Sequence, residues 1–213
     1  MNDSFPDLLE EISSLFTYAE QKIKKIEYFA DGVPFPAVNQ LRYVAFHLLR
    51  AEQLRNGDED LCKDELHDEL KKAKNHCQRA IYDANEAGVV YYLERIRKFK
   101  EDYESETIPD IVPNYINHLV KAKEIKNFLW VVGKKSLSER AEGLNRIDKE
   151  KDNNDYQKSD EYLIQLQEID NILDLARPEL NKKIEGRREK MLISISGLAI
   201  GILAILVTIV VAS

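Results

Sequence analysis

Residues 66–84 read LHDELKKAKNHCQRAIYDA. The apolar positions Leu66, Leu70, Ala73, Cys77, Ala80 and Ala84 recur at steps of three and four, which puts them on one stripe of an α-helix. A half-buried strand needs strict alternation, and the stretch has none. Beside the apolar stripe runs a polar one, Glu69, Lys72, His76, Arg79, Asp83 and Glu86, again at helical spacing. Within it, Glu69, His76, Arg79 and Asp83 form a candidate ligand site, with His76 and Asp83 as an acid–base pair and Arg79 holding an anion. The competing reading is a solvated helix face, whose intrahelical ion pairs each contribute a few tenths of a kcal/mol.

Working outward, the pattern is helical on both sides. Leu8, Ile12, Leu15, Ala19, Ile23 and Ile26 predict a first helix, capped at Ser4 and stopped at Gly32. The loop 31–36 leads to a second, from about Ala37 to Asn56, burying Leu41, Ala45 and Leu48. The third starts near Asp60 and at Gly88 either kinks or continues through Val89, Leu93, Ile96, Phe99 and Tyr103. A fourth spans about Ile111 to Val132 and ends at Gly133; Ser136 to Ile147 reads as a short helix and 148–158 as a solvated loop. Ser159 caps a helix carrying Tyr162, Leu166, Ile169, Leu173 and Ala176, and Pro178 starts the last segment. The class is therefore all-α: a helical bundle over 1–135 and an extension over 136–190 with a charged loop and juxtamembrane helix.

The last 23 residues, 191–213, contain no ionisable side chain. Met191 to Ala212 is long enough, at about 1.5 Å per residue, to cross a hydrocarbon core of about 30 Å, so a single C-terminal transmembrane helix is expected. Five basic residues, Lys182, Lys183, Arg187, Arg188 and Lys190, precede it. Basic flanks stay cytoplasmic, which predicts a single-pass protein of the cell inner membrane with its N-terminal domain in the cytoplasm and its basic cluster against anionic headgroups. Ser194, Gly197, Gly201, Ala204 and Thr208 line one seam of this helix. Small residues let helix backbones approach closely in lipid, so the seam predicts a homo-oligomer.

A net charge of −7 argues against a general nucleic-acid-binding surface, and DNA is not an expected partner. Cys62 and Cys77, on one helix, stand roughly 22 Å apart, too far for a disulfide. His67 with Asp64 and Asp68 lacks the ligand spacing of a metal site, and no phosphate loop, dinucleotide fingerprint or nucleophile elbow occurs, so no metal and no cofactor are expected.

In Asn39-Gln-Leu-Arg-Tyr-Val-Ala-Phe-His-Leu-Leu-Arg-Ala51, an arginine, Arg42, is followed after four residues by a histidine, His47. Over about residues 1–135 the chain thereby resembles HEPN domains, small helical bundles common in bacterial defence and toxin systems. The resemblance implies a catalytic pair, Arg42 and His47, joined across a dimer to cleave RNA without metal. On one helix the two lie about 140° apart. In architecture the chain also resembles the small membrane accessory proteins of bacterial antiviral (CRISPR-type) systems. The expected function is thus a membrane-anchored helical effector or accessory protein of an antiviral or stress response, acting by oligomerisation, with an upstream defence protein or RNA as partner. A tethered HEPN-type ribonuclease and a non-catalytic membrane adaptor are the alternatives.

Overall fold

The computed structural model describes residues 5–56, 63–103, 108–141 and 152–211, with side chains described over 5–56, 63–103, 108–129, 158–198 and 200–201. Among the described residues the chain is all-helical: α1 (Phe5–Ala30), α2 (Phe35–Arg55), α3 (Lys63–Asp102), α4 (Ile108–Ile111), α5 (Tyr115–Ala141) and α6 (Asp152–Val211). The central element is α3, against which α1, α2 and α6 all pack. Its buried positions run Leu70, Ala73, Cys77, Ala80, Ala84, Gly88, Val89, Tyr92, Ile96 and Phe99, the 3–4 period foreseen from residues 66–84 and extended without a break.

The two halves of α3 serve different neighbours. Leu70, Ala73 and Cys77 meet Leu8 and Ile12 of α1 and Val44 and Ala51 of α2. Val89, Tyr92, Ile96 and Phe99 pack in a larger cluster with Ile23 and Ile26 of α1, Ile108 and Val112 around α4, and Leu163, Leu166, Ile169, Leu173 and Leu180 of α6. The changeover falls between Cys77 and Ala84, and Gly88 lies beyond it in the larger cluster, where a Cβ would stand 2.6 Å from Ile26 Cδ1 and 2.7 Å from Leu163 Cδ1. Three helices converge on that position, so the glycine neither kinks nor ends α3; it removes the side chain that would hold α1 and α6 off.

Several boundaries differ from expectation. α1 does end before Gly32, but the left-handed residue is Asp31, with φ 49; a short polar side chain tolerates this conformation. On α2 the buried residues are Ala37, Val44 and Ala51, with Leu41 and Leu48 partly covered, whereas Ala45 is exposed. α5 starts at Tyr115 and continues through Gly133 to Ala141. Residues 152–155, expected in the solvated loop, begin a 60-residue helix that holds Pro178 in its interior. An interior proline costs a helix about 3 kcal/mol, and here Leu173, Ala176 and Leu180, all buried on either side of it, offset that loss by packing. Ser4, Cys62 and residues 142–151 lie outside the described residues.

The transmembrane helix expected over Met191–Ala212 is corrected: among the described residues, no helix is long and apolar enough to cross a membrane. The described side chains of that stretch stop at Gly201, and the rise from Met191 to there is about 16 Å, roughly half of a hydrocarbon core. Ser194, Gly197 and Gly201 of the expected seam are exposed, while Ala204 and Thr208 lie outside the described side chains.

The crossing at Gly88 makes a prediction. Alanine in a helix interior is ordinarily worth about 1 kcal/mol over glycine, but overpacking a core costs about 1–3 kcal/mol. Gly88→Ala is therefore expected to lower stability by about 1 kcal/mol in urea unfolding. In an Ile26→Val background, which removes Cδ1 from α1, the same alanine is expected to cost less; equal cost in both backgrounds would show that the contact does not limit the site.

Candidate functional site

The polar residues singled out on α2 and α3 meet along the seam between these helices, which run antiparallel. On α2, Gln40, Tyr43, His47 and Arg50 recur at steps of three and four beside the buried Val44 stripe, and they face the polar stripe of α3. His47 donates from Nδ1 to Glu69 Oε2 at 2.6 Å. Glu69 also accepts from Lys72 at 2.9 Å and lies 3.7 Å from Arg50. About two turns further along, His76 Nδ1 donates to Gln40 Oε1 at 2.8 Å, and Gln40 Nε2 donates to Asp83 Oδ2 at 3.2 Å. The imidazoles of His47 and His76 stack with centroids 5.1 Å apart, and Tyr43 stacks on the other side of His76, also at 5.1 Å.

The electrostatics follow from this packing. Burial opposes charge on Glu69, which is 6% exposed, yet the hydrogen bonds from His47 and Lys72 outweigh it and hold its carboxyl below the usual value. His76 is bonded to the Gln40 amide oxygen rather than to a carboxylate among the described residues. Burial, followed by the His47 and Arg79 charges, pushes its pKa down to about 4. At neutral pH His76 is thus an uncharged ring whose Nδ1–H is already committed to an amide oxygen.

Of the residues named from the sequence, the fold unites His47 with Glu69 and His76, and links His76 to Asp83 through Gln40. Arg79 stands close enough to His76 to act on its charge. Arg42 is not brought in: it is exposed on the outer side of α2, while His47 faces α3. Within one chain the arginine and histidine of the motif therefore do not share a site. Sequence reasoning missed Gln40 and Tyr43, the bridge and the stacking ring, although their spacing to His47 on α2 carried the signal.

A second polar network was not foreseen. Arg95 Nε donates to both carboxylate oxygens of Asp170 at 2.8 Å, and its guanidinium also pairs with Asp174. Tyr18 Oη donates to Asp160 at 2.7 Å, where Lys22 also pairs. These contacts fasten α6 to α1 and α3. Among the described residues no group of three His, Cys, Asp or Glu side chains is placed to hold a metal ion. Cys77 is buried and free, its thiol pushed up to about 12 by burial. A shallow cleft of about 250 Å³ is lined by Pro109, Val112, Asn114, Tyr115, Ile116 and Asn117 and includes none of the residues named from the sequence.

No protein-family model, curated protein or solved structure matches the chain. The α2–α3 seam thus stands on its geometry. It is a hydrogen-bonded polar network along the seam of two helices, and its acid–base groups are turned toward one another.

The displaced histidine gives a pH dependence. The folded protein resists protonating His76 while the unfolded chain does not, so stability is full above pH 6.5 and falls as the pH drops toward 4. Half-solvation of the ring limits the loss to about 1–2 kcal/mol. Urea midpoints are expected to decline over that interval in the wild type and to decline less in His76→Gln. An identical slope in the variant would place the titration elsewhere.

Proposed function

We propose that the chain is a helical accessory or effector protein of a bacterial antiviral or stress response, held at the cytoplasmic face of the inner membrane and acting by self-association without catalysis of its own. The observation that carries this reading is the distal end of α6. Ile184 is the last described residue of that helix packed against the core. Beyond it, Met191, Leu192, Ile193, Ile195, Leu198 and Ile200 are 59–70% exposed.

At about 100° per residue these six side chains cover an arc of about 220° of the helix, wider than a single neighbouring helix covers, with Ser194, Gly197 and Gly201 on the remaining side. Full burial of one such side chain stabilises by about 1.5–3 kcal/mol, and a helix that exposes large apolar side chains over more than half of its circumference is stabilised by apolar surroundings. A lipid surface is such a surrounding, and the exposed Lys182, Arg187, Arg188 and Lys190 precede it in the order that suits an anionic leaflet. Self-association is supported by Gly197 and Gly201, where a Cβ would meet nothing within 4 Å; that space admits a second helix. The bacterial defence setting comes from the HEPN resemblance. A non-catalytic role is favoured over the ribonuclease alternative by the engagement of His47 with Glu69.

Inducible expression of the full chain, of residues 1–185 and of His47→Ala, with membrane potential and RNA integrity followed together, tests the reading. Depolarisation is expected from the full chain and from His47→Ala, but not from residues 1–185, and it is expected to weaken at least tenfold in Gly197→Leu/Gly201→Leu, on the order of the affinity lost with about 1.4 kcal/mol of helix contact. RNA loss that requires His47 would overturn it in favour of the tethered nuclease.

A further inference from the structure

Where α6 leaves the bundle it is latched by a neighbouring helix. Lys183 Nζ lies 2.8 Å from Asp110 Oδ2 on α4. The Asp110 carboxyl is held below its usual value, first by the Lys183 hydrogen bond and charge and then by the Arg187 charge. α4 itself cannot follow α6 outward, because Ile108 is fully buried and Val112, just past its end, is 1% exposed. Asp110 is therefore a fixed anion at the edge of the bundle, and Lys183, held between the core residues Leu180 and Ile184 of α6, leaves it by moving its side chain alone.

On α6, Lys183, Arg187 and Lys190 fall within about 60° of one another around the helix, whereas Glu185 and Glu189 lie on the other side. Three cations on one stripe suit a row of phosphates. Lys190 and Arg187 lie within about one turn of Met191, where the exposed apolar stretch begins, but Lys183 is about 12 Å back along the axis. Lys183 therefore contacts a phosphate lying along this stripe only by swinging its side chain away from Asp110.

We infer that Lys183, Arg187 and Lys190 form a binding stripe for the phosphates of anionic phospholipids, and that Asp110 competes with those phosphates for Lys183. The inference rests on the membrane reading above and adds its lipid chemistry and an internal competitor. Binding to an anionic leaflet exchanges the Asp110–Lys183 pair for a phosphate contact and removes that tie between α4 and α6, leaving α4 seated through Ile108 and Val112. Where anionic lipid is absent, the pair stays closed and α4 remains fastened to α6.

The test uses the full chain in vesicles of phosphatidylcholine, with or without phosphatidylglycerol, and follows hydrogen exchange at the Val112 amide, which bonds the Ile108 carbonyl at 2.8 Å across α4. In the wild type this amide is expected to exchange several-fold faster with phosphatidylglycerol present. In Asp110→Asn it is expected to exchange fast in both vesicles, and association with the anionic vesicles is expected to tighten about fivefold, as for one added cation at the surface. Lys183→Gln is expected to remove that tie without tightening association, which a merely structural latch would not distinguish from Asp110→Asn.

Equal exchange in the two vesicles, or equal association of the wild type and Asp110→Asn, overturns the inference while leaving the membrane reading in place. Failure of the full chain to associate with either vesicle overturns the membrane reading itself. Glycerophosphate added to phosphatidylcholine vesicles is expected to have no effect; if it reproduces the faster exchange, the ligand is a soluble phosphate and the lipid assignment falls.

Discussion

The larger core of this bundle is arranged around the absence of one side chain at Gly88. α1, α3 and α6 cross there closely enough that Ile26 and Leu163 occupy the volume a β-carbon would fill. Close crossing sets how deeply the C-terminal half of α3 sinks between its neighbours, and so lets Tyr92, Ile96 and Phe99 reach Leu166, Ile169 and Leu173. Dispersion contacts fall away over fractions of an ångström, so a crossing held wider would loosen the whole larger core rather than one contact. The ion pairs of Arg95 with Asp170 and Asp174 lie two turns along the same seam. They fix the register of helices whose separation is already set by the glycine.

The helical class and the stripe on α3 were legible because a 3.6-residue period is a local property, written in the order of side chains. The faces of α1 were legible for the same reason, as Leu8, Ile12, Ala19, Ile23 and Ile26 are all buried. Helix ends and continuity were not. Gly88 and Gly133 carry a helix-breaking propensity, yet both lie inside helices, and Pro178 lies inside another. Propensity is worth about 1 kcal/mol for glycine, and the packing of neighbouring residues, invisible in local order, exceeds it. The apolar C-terminal stretch shows the opposite difficulty. Its composition invited a transmembrane helix, while among the described residues no helix is long and apolar enough to cross a membrane.

The candidate site was legible in half. The polar stripe on α3 was visible in its spacing, and so was His47, but their union depends on α2 lying antiparallel to α3 with a particular register. No local pattern encodes that register. It emerges from Val44 and Ala51 seating against Leu70, Ala73 and Cys77, after which Gln40, Tyr43 and His47 arrive opposite His76 and Glu69. Arg42 is separated from this group by the helix's own geometry: a spacing of five residues turns two side chains about 140° apart.

The way α6 leaves the bundle has a mechanical consequence. Ile184 is its last described core contact, and two residues later Gly186 has open space where its side chain would be. A half-buried glycine between a clamped half and an unclamped half is the softest point of such a rod. From there to Val211 the helix rises about 38 Å, so a bend of about 10° at the glycine sweeps its tip through about 7 Å. The bundle thus carries its distal end as a pivoted lever, free to tilt relative to the core while the register of every buried side chain behind the pivot stays unchanged.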